Sequence, residues 1–236
     1  MSVPAVIEFV GLPGAGKSVL SVKVAALLRA RGLDVAEPTH VLNHRVGSAR
    51  RRVTRVAVAL RQIAVSPARS CAGARAIAAT AQHRHRDFLK SLTAWLLALD
   101  TIGRTRAAVT ILDQGLFQAL WSIQWSAERE TTRIAALAAR ALPPSMGVVI
   151  VETDPHVVRR RLAGRDAPAS RLERHDDGDE ALARGSDALE RTRALIVHMS
   201  AAHPGLRHLT VDLSRDGALD DAARAIVDHF AGEEGH

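Results

Sequence analysis

Short apolar runs alternate with longer stretches of helical periodicity along the chain. Val3-Pro-Ala-Val-Ile-Glu-Phe-Val10, Leu33-Asp-Val-Ala36, Ala107-Ala-Val-Thr-Ile-Leu112, Met146-Gly-Val-Val-Ile-Val151 and Gly205 to Val211 have the length of strands. The fourth is uniformly apolar, as parallel strands buried on both faces are. Between them, helical spacing predicts helices over Val19 to Arg31, His40 to Ala64, Ala72 to Thr105, Pro155 to Leu162, Glu180 to Ala202 and Ala218 to Phe230, with one or two more over Leu116 to Leu142. In the longest of these, Phe88, Leu89, Leu92, Trp95, Leu96 and Leu99 recur at core spacing. Gly32, Ser66-Pro67, Pro143-Pro144 and Pro155 supply the stops and starts. This alternation predicts an α/β fold of three layers: a five-stranded, mostly parallel sheet with helices on both faces. Right-handed crossovers then place a ligand at the carboxyl ends of the strands. No repeat or low-complexity linker appears, so residues 1–236 read as one domain.

One junction carries chemistry outright. The first strand runs into Gly11-Leu-Pro-Gly-Ala-Gly-Lys17-Ser18 and then into a helix, which is the phosphate-binding loop pattern in the setting that it requires. Glycines at 11, 14 and 16 let consecutive backbone N–H groups turn inward on a phosphate. The helix start adds its positive dipole end. Lys17 is placed to reach the β- and γ-phosphates, and the Ser18 hydroxyl to join the coordination of Mg2+. Gly11, Pro13, Gly14, Ala15, Gly16, Lys17, Ser18 and Val19 are the expected contacts to ATP.

A carboxylate at the end of a later strand completes such a site, and Asp113, closing Ala107 to Leu112, is the candidate for the second magnesium-organising group. Glu37-Pro38 ends the second strand and turns the chain toward the same edge. An arginine-rich segment at about 163–179, entered through Arg159-Arg-Arg161, has the character of a lid. Arg161, Arg165 and Arg171 are the cations expected to close over the transferring group and exclude water.

Composition narrows the setting. Hydrophobic residues at 47% and charged residues at 24% are ordinary for a globular domain. The single cysteine, Cys71, excludes an internal disulfide and suits a reducing cytoplasm. The N-terminal apolar run is short and ends in the glycine loop, so no signal peptide is read, and no run is long enough to span a membrane. A net charge of +7 fits a polyphosphate site as well as a nucleic acid, but aromatics at 3% and the lack of tyrosine argue against a base-stacking surface. His83 and His85 stand at i and i+2, on different helix faces, so no zinc set is read.

These motifs resemble the thymidylate kinase branch of the P-loop nucleoside and nucleotide kinases. Glu37-Pro38 is similar to that family's Glu-Pro after its second strand. Thr153-Asp-Pro-His-Val-Val-Arg-Arg-Arg-Leu, with Gly164-Arg165 and Ser170-Arg-Leu-Glu173, resembles its fourth strand, helix and lid. Leu189-Glu-Arg-Thr-Arg193 resembles the helix after the lid, and Thr210-Val-Asp212-Leu-Ser214 the last strand and adenine-side loop. The resemblance implies ATP and Mg2+ as cofactors, transfer to a small-molecule acceptor with a nucleoside monophosphate first in line, Glu37 beside the acceptor, Asp212 at the nucleotide, and a possible homodimer. It departs at the acceptor. Asp113-Gln114-Gly115 stands where thymidylate kinases usually carry Asp-Arg and an aromatic, and Pro13 replaces an acidic residue. Glutamine can bond a hydroxyl but supplies no charge to a phosphate. Arg84 or Arg86, in the helical region at about 40–105, is the expected compensation, with Gln114 and Phe117 lining the acceptor pocket. A kinase of a hydroxyl acceptor (nucleoside, sugar or antibiotic) and a regulatory ATP-binding protein remain as alternatives.

Overall fold

The computed structural model describes residues 3–41, 47–104, 106–164, 178–215 and 217–231. Five strands, β1 (Val6–Gly11), β2 (Val35–Ala36), β3 (Val109–Leu112), β4 (Met146–Glu152) and β5 (Leu206–Asp212), form one sheet in the order β2-β3-β1-β4-β5. Every pairing is parallel. The chain switches direction of winding at β1, so the crevice at the carboxyl end of β1 is flanked by β3 on one side and β4 on the other.

The helices described are α1 (Lys17–Ala30), the single turn α2 (Pro38–His40), α3 (Ser48–Val65), α4 (Pro67–Ala79), α5 (His85–Gly103), α6 (Leu116–Ser126), α7 (Thr132–Ala139), α8 (Pro155–Ala163), α9 (Gly178–Ala202) and α10 (Ala218–Ala231). α1 packs with α10, and α6 packs with α9 and α5. With helices over both faces, β1, β3 and all but the last residue of β4 are buried. Ile7, Phe9, Leu20, Leu28, Ile111, Leu112, Leu116 and Leu120 are among the largest side chains of that core. Among the described residues no helix is long and apolar enough to cross a membrane.

Two expectations are corrected. The strand expected over Leu33 to Ala36 is confined to Val35–Ala36, with the Asp34 carbonyl still accepting the Val109 N–H at 3.0 Å. The continuous helix expected from Ala72 to Thr105 is two helices, broken at Thr80–Arg84. There Ala81 takes φ +49°, and the side chain of Gln82 fastens the corner. Gln82 Nε2 donates to Thr80 Oγ1 at 2.6 Å and to the Ile123 carbonyl at 3.2 Å, while its Oε1 accepts from Ser91 and Ser126. The alanine-rich stretch is helical by propensity; a hub of tertiary hydrogen bonds overrides it.

Candidate active site

The loop after β1 has the backbone that its sequence demands. Gly14 and Gly16 sit at φ +86° and +98°, in the left-handed region, and the Ala15 N–H closes the turn onto the Leu12 carbonyl at 3.1 Å. Side chains also crowd these glycines: a Cβ on Gly14 would lie 3.0 Å from Leu162, and one on Gly16 would lie 3.1 Å from Leu213. Lys17 opens α1, and its Nζ donates to the carbonyls of Gly11 and Leu12 at 2.7 and 2.8 Å, so the ammonium lies across the loop. Pro13 is half-buried in the loop, and Val19 is exposed on the first turn of α1.

Asp113 ends β3 and is buried against the same loop. The Ser18 hydroxyl donates to its Oδ2 at 3.2 Å, which brings together the two oxygen donors expected to organise magnesium. A hydroxyl and a carboxylate at the foot of a phosphate cradle suit Mg2+, which keeps water and phosphate oxygens for its remaining positions. ATP and Mg2+ therefore fit the residues present. Among the described residues no cluster of three or more His, Cys, Asp or Glu offers a competing metal site.

The neighbouring strand ends are tied to this pair. The Asp113 N–H donates to Thr39 Oγ1 at 3.1 Å, which joins the turn after β3 to the turn after β2. Glu37 caps that second turn. Its Oε2 pairs with Arg29 of α1 at 2.7 Å, while Oε1 is buried and makes no hydrogen bond among the described residues. On the other side, the Thr153 hydroxyl donates to the Ala15 carbonyl at 3.1 Å. Arg161 on α8 spans from Ala15 to the loop after β5, donating to the carbonyls of Ala15 and Leu213 at 3.3 and 3.0 Å. Asp212 is exposed at the end of β5. Its Oδ1 accepts from the backbone N–H and the hydroxyl of Ser214, and these bonds hold its carboxyl below the usual carboxylate range. It shapes the loop that packs on Gly16.

The acceptor side differs from expectation. Phe117 is fully buried in the core and presents no surface to a ligand. Gln114 is exposed beside Asp113. Arg84 and Arg86 are exposed at the start of α5, beside the far end of α6, where His83 N–H donates to the Ser126 carbonyl. Eleven residues of helix, roughly 16 Å, separate that end from Asp113, so neither arginine starts from a position beside Asp113. Arg55 of α3 is a cation that feels the Asp113 carboxylate. Burial and neighbouring Arg51 pull its pKa down, while the Asp113 carboxylate pushes it back up. Arg165 and Arg171 lie outside the described residues.

Two residues at the site, Thr39 and Arg55, carry no motif signal, whereas Thr153 and Leu213 lie inside sequence motifs without being singled out there; the contacts of Thr39, Thr153 and Leu213 come from the fold alone. Arg55 belongs to a visible basic run, Arg50 to Arg61, but nothing in the run singles it out.

Neither a protein-family model nor a curated protein matches the chain. Solved structures do. Shikimate kinase from Acinetobacter baumannii, in complex with shikimate, is 15% identical with a TM-score of 0.54, over 99% of this chain and 96% of that one. YorR from Bacillus subtilis, in complex with phosphorylated GDP, is 14% identical with a TM-score of 0.49, over 98% and 99%. Thymidylate kinase from Candida albicans is 12% identical with a TM-score of 0.48, over 97% and 93%. At such identities the likeness is one of fold, and it rests on the first of these: the chain has the P-loop kinase fold.

Proposed function

We propose that this chain is an ATP- and Mg2+-dependent phosphotransferase that passes a phosphoryl group directly to a small-molecule acceptor. The observation that carries the reading is the Ser18–Asp113 contact of 3.2 Å below a loop with both left-handed glycines in place. That arrangement supplies a phosphate cradle and a place for its metal within one crevice.

ATP supplies the phosphoryl group, and the protein's task is to position and to offset charge. The amides of Gly14 to Ser18 would hold the β- and γ-phosphates, and Lys17, whose ammonium rests on the loop carbonyls, would supply positive charge to them. Ser18 and Asp113 hold the metal. Arg161 faces the loop from α8 and would offset charge on the transferring group; the same role is proposed for Arg165 and Arg171, which lie outside the described residues. Glu37 keeps one carboxylate oxygen for the acceptor, orienting its hydroxyl or taking its proton.

A nucleoside monophosphate remains the first acceptor class. Its support is Arg55, a cation near Asp113 able to meet an anionic group, together with the thymidylate kinase-like motifs. Exposed Gln114 favours a second reading, a neutral hydroxyl acceptor such as a nucleoside, sugar or antibiotic. ATP consumption by the purified protein, alone and with pooled monophosphates, nucleosides, sugars and aminoglycosides, separates them. Stimulation by monophosphates supports the first and stimulation by a hydroxyl pool the second. Bound ATP with no stimulation by any pool would favour a regulatory ATP-binding protein.

A further inference from the structure

One buried carboxylate has no part in the chemistry above. Glu8 stands in the middle of β1, between β3 and β4, with no exposed surface. The first turn of α6 comes to meet it: Oε1 accepts the Gln118 N–H at 2.7 Å, and the amides of Gly115, Leu116 and Phe117 interact with the same carboxylate. The first amides of a helix have no partner within the helix and carry its positive dipole end, so Glu8 satisfies one of them, that of Gln118, from the strand below. Residue 115 must be glycine for this approach, because a Cβ there would lie 2.6 Å from the Glu8 carboxyl group.

The same turn reaches back to the phosphate loop. The Gln118 side chain accepts the Gly11 N–H at 3.1 Å, and Gly11 is the loop's first residue. Gly11 has little room to yield, since a Cβ on it would lie 2.5 Å from the Val151 carbonyl oxygen of β4. The contacts close a circuit: Glu8 holds the Gln118 backbone, the Gln118 side chain holds Gly11, and β1 joins Gly11 to Glu8.

We infer that Glu8 and Gln118 are positioning residues that lock the Asp113-Gln114-Gly115 turn and the first turn of α6 to the phosphate loop. The spacing between Ser18 and Asp113 then depends on two side chains that do not take part in that contact. The functional consequence rests on the proposed use of Mg·ATP; the circuit itself does not.

Three variants of the full chain test it. Gln118→Met keeps the length and removes the acceptor for Gly11. Glu8→Met removes the acceptor for Gln118, and Glu8→Gln restores one without the charge. In amide hydrogen exchange on the ligand-free protein, Gln118→Met and Glu8→Met should speed exchange of residues 11–18 by roughly three- to tenfold, with Glu8→Gln close to the parent. Calorimetric titration with Mg·ATP should show weakening on a similar scale in Gln118→Met and recovery in Glu8→Gln. Unchanged loop exchange in Gln118→Met overturns the circuit. So does an even rise over the whole sheet, which would mean lost stability only. If Glu8→Met does not fold, Gln118→Met still decides. If the parent protein fails to bind Mg·ATP, the nucleotide reading falls while the exchange result still judges the circuit.

Discussion

Replacing Glu8 by glutamine should remove one component of the pH dependence of folding. Burial takes this carboxyl out of water and pushes its pKa from 4.5 up to about 7, against the backbone amides of α6, which favour the ionised form. Between those values the folded chain holds a proton that the unfolded chain has released. Unfolding therefore releases a proton, and stability falls as pH rises through that window, with the contribution gone above the folded pKa. The rise from 4.5 to about 7 is worth roughly 3 kcal/mol, undiminished by solvent because the group is fully buried. Glutamine does not titrate. The stability of Glu8→Gln minus that of the parent should thus grow by about 3 kcal/mol from pH 4.5 to pH 8, or roughly 6–12 °C in Tm for a chain of this size. Other titrating groups cancel in the difference. Urea unfolding at several pH values, followed by the fluorescence of the stacked pair Trp121 and Trp125, reads it directly. A difference that stays constant from pH 4.5 to pH 8 would refute the reasoning, since the carboxyl would then titrate in the fold as it does in water.

Three further outcomes follow from the geometry. Gly115→Ala should lower stability by about 2 kcal/mol or more in thermal melts, because its methyl meets a Glu8 carboxyl that has no space to withdraw; a Tm equal to the parent's would contradict that packing. Asp113→Asn should lower Mg·ATP turnover about a hundredfold, by analogy with the loss of other charge-stabilising groups, while the fold persists; full activity at ordinary magnesium would remove Asp113 from the metal site. Arg161→Ala should lower kcat and also Tm, because the guanidinium bridges the carbonyls of Ala15 and Leu213. A change in kcat alone would show that the bridge adds no stability.

The sheet and the phosphate loop were legible because both are written locally. A strand buried on both faces is an apolar run, and the loop needs glycine at positions where its backbone turns left-handed, as Gly14 and Gly16 do. Asp113 was legible as the polar stop of a strand. The acceptor side was not. Arg84 and Arg86 looked suitable in a helix expected to continue from Ala72, but the corner at Ala81 redirects that helix, and its cause lies in Gln82 contacts to residues 123 and 126, some forty positions away. Phe117 follows Asp113 closely enough to suggest a pocket wall, yet α6 turns it into the core. Glu8 reads as a lone polar residue in an apolar strand, and its partner is the start of a helix more than a hundred residues later. Such pairings depend on topology, which local pattern does not encode.

The central claim, direct phosphoryl transfer from a nucleotide held by the loop after β1, is tested most directly by following the γ-phosphate of labelled ATP in the parent protein and in Lys17→Ala. With Mg2+ and the stimulating acceptor pool, label should appear on the acceptor. The rate should fall by about a hundredfold or more in Lys17→Ala, whose ammonium otherwise lies across the loop. Label recovered only as inorganic phosphate, or transfer unaffected by Lys17→Ala, would contradict the account.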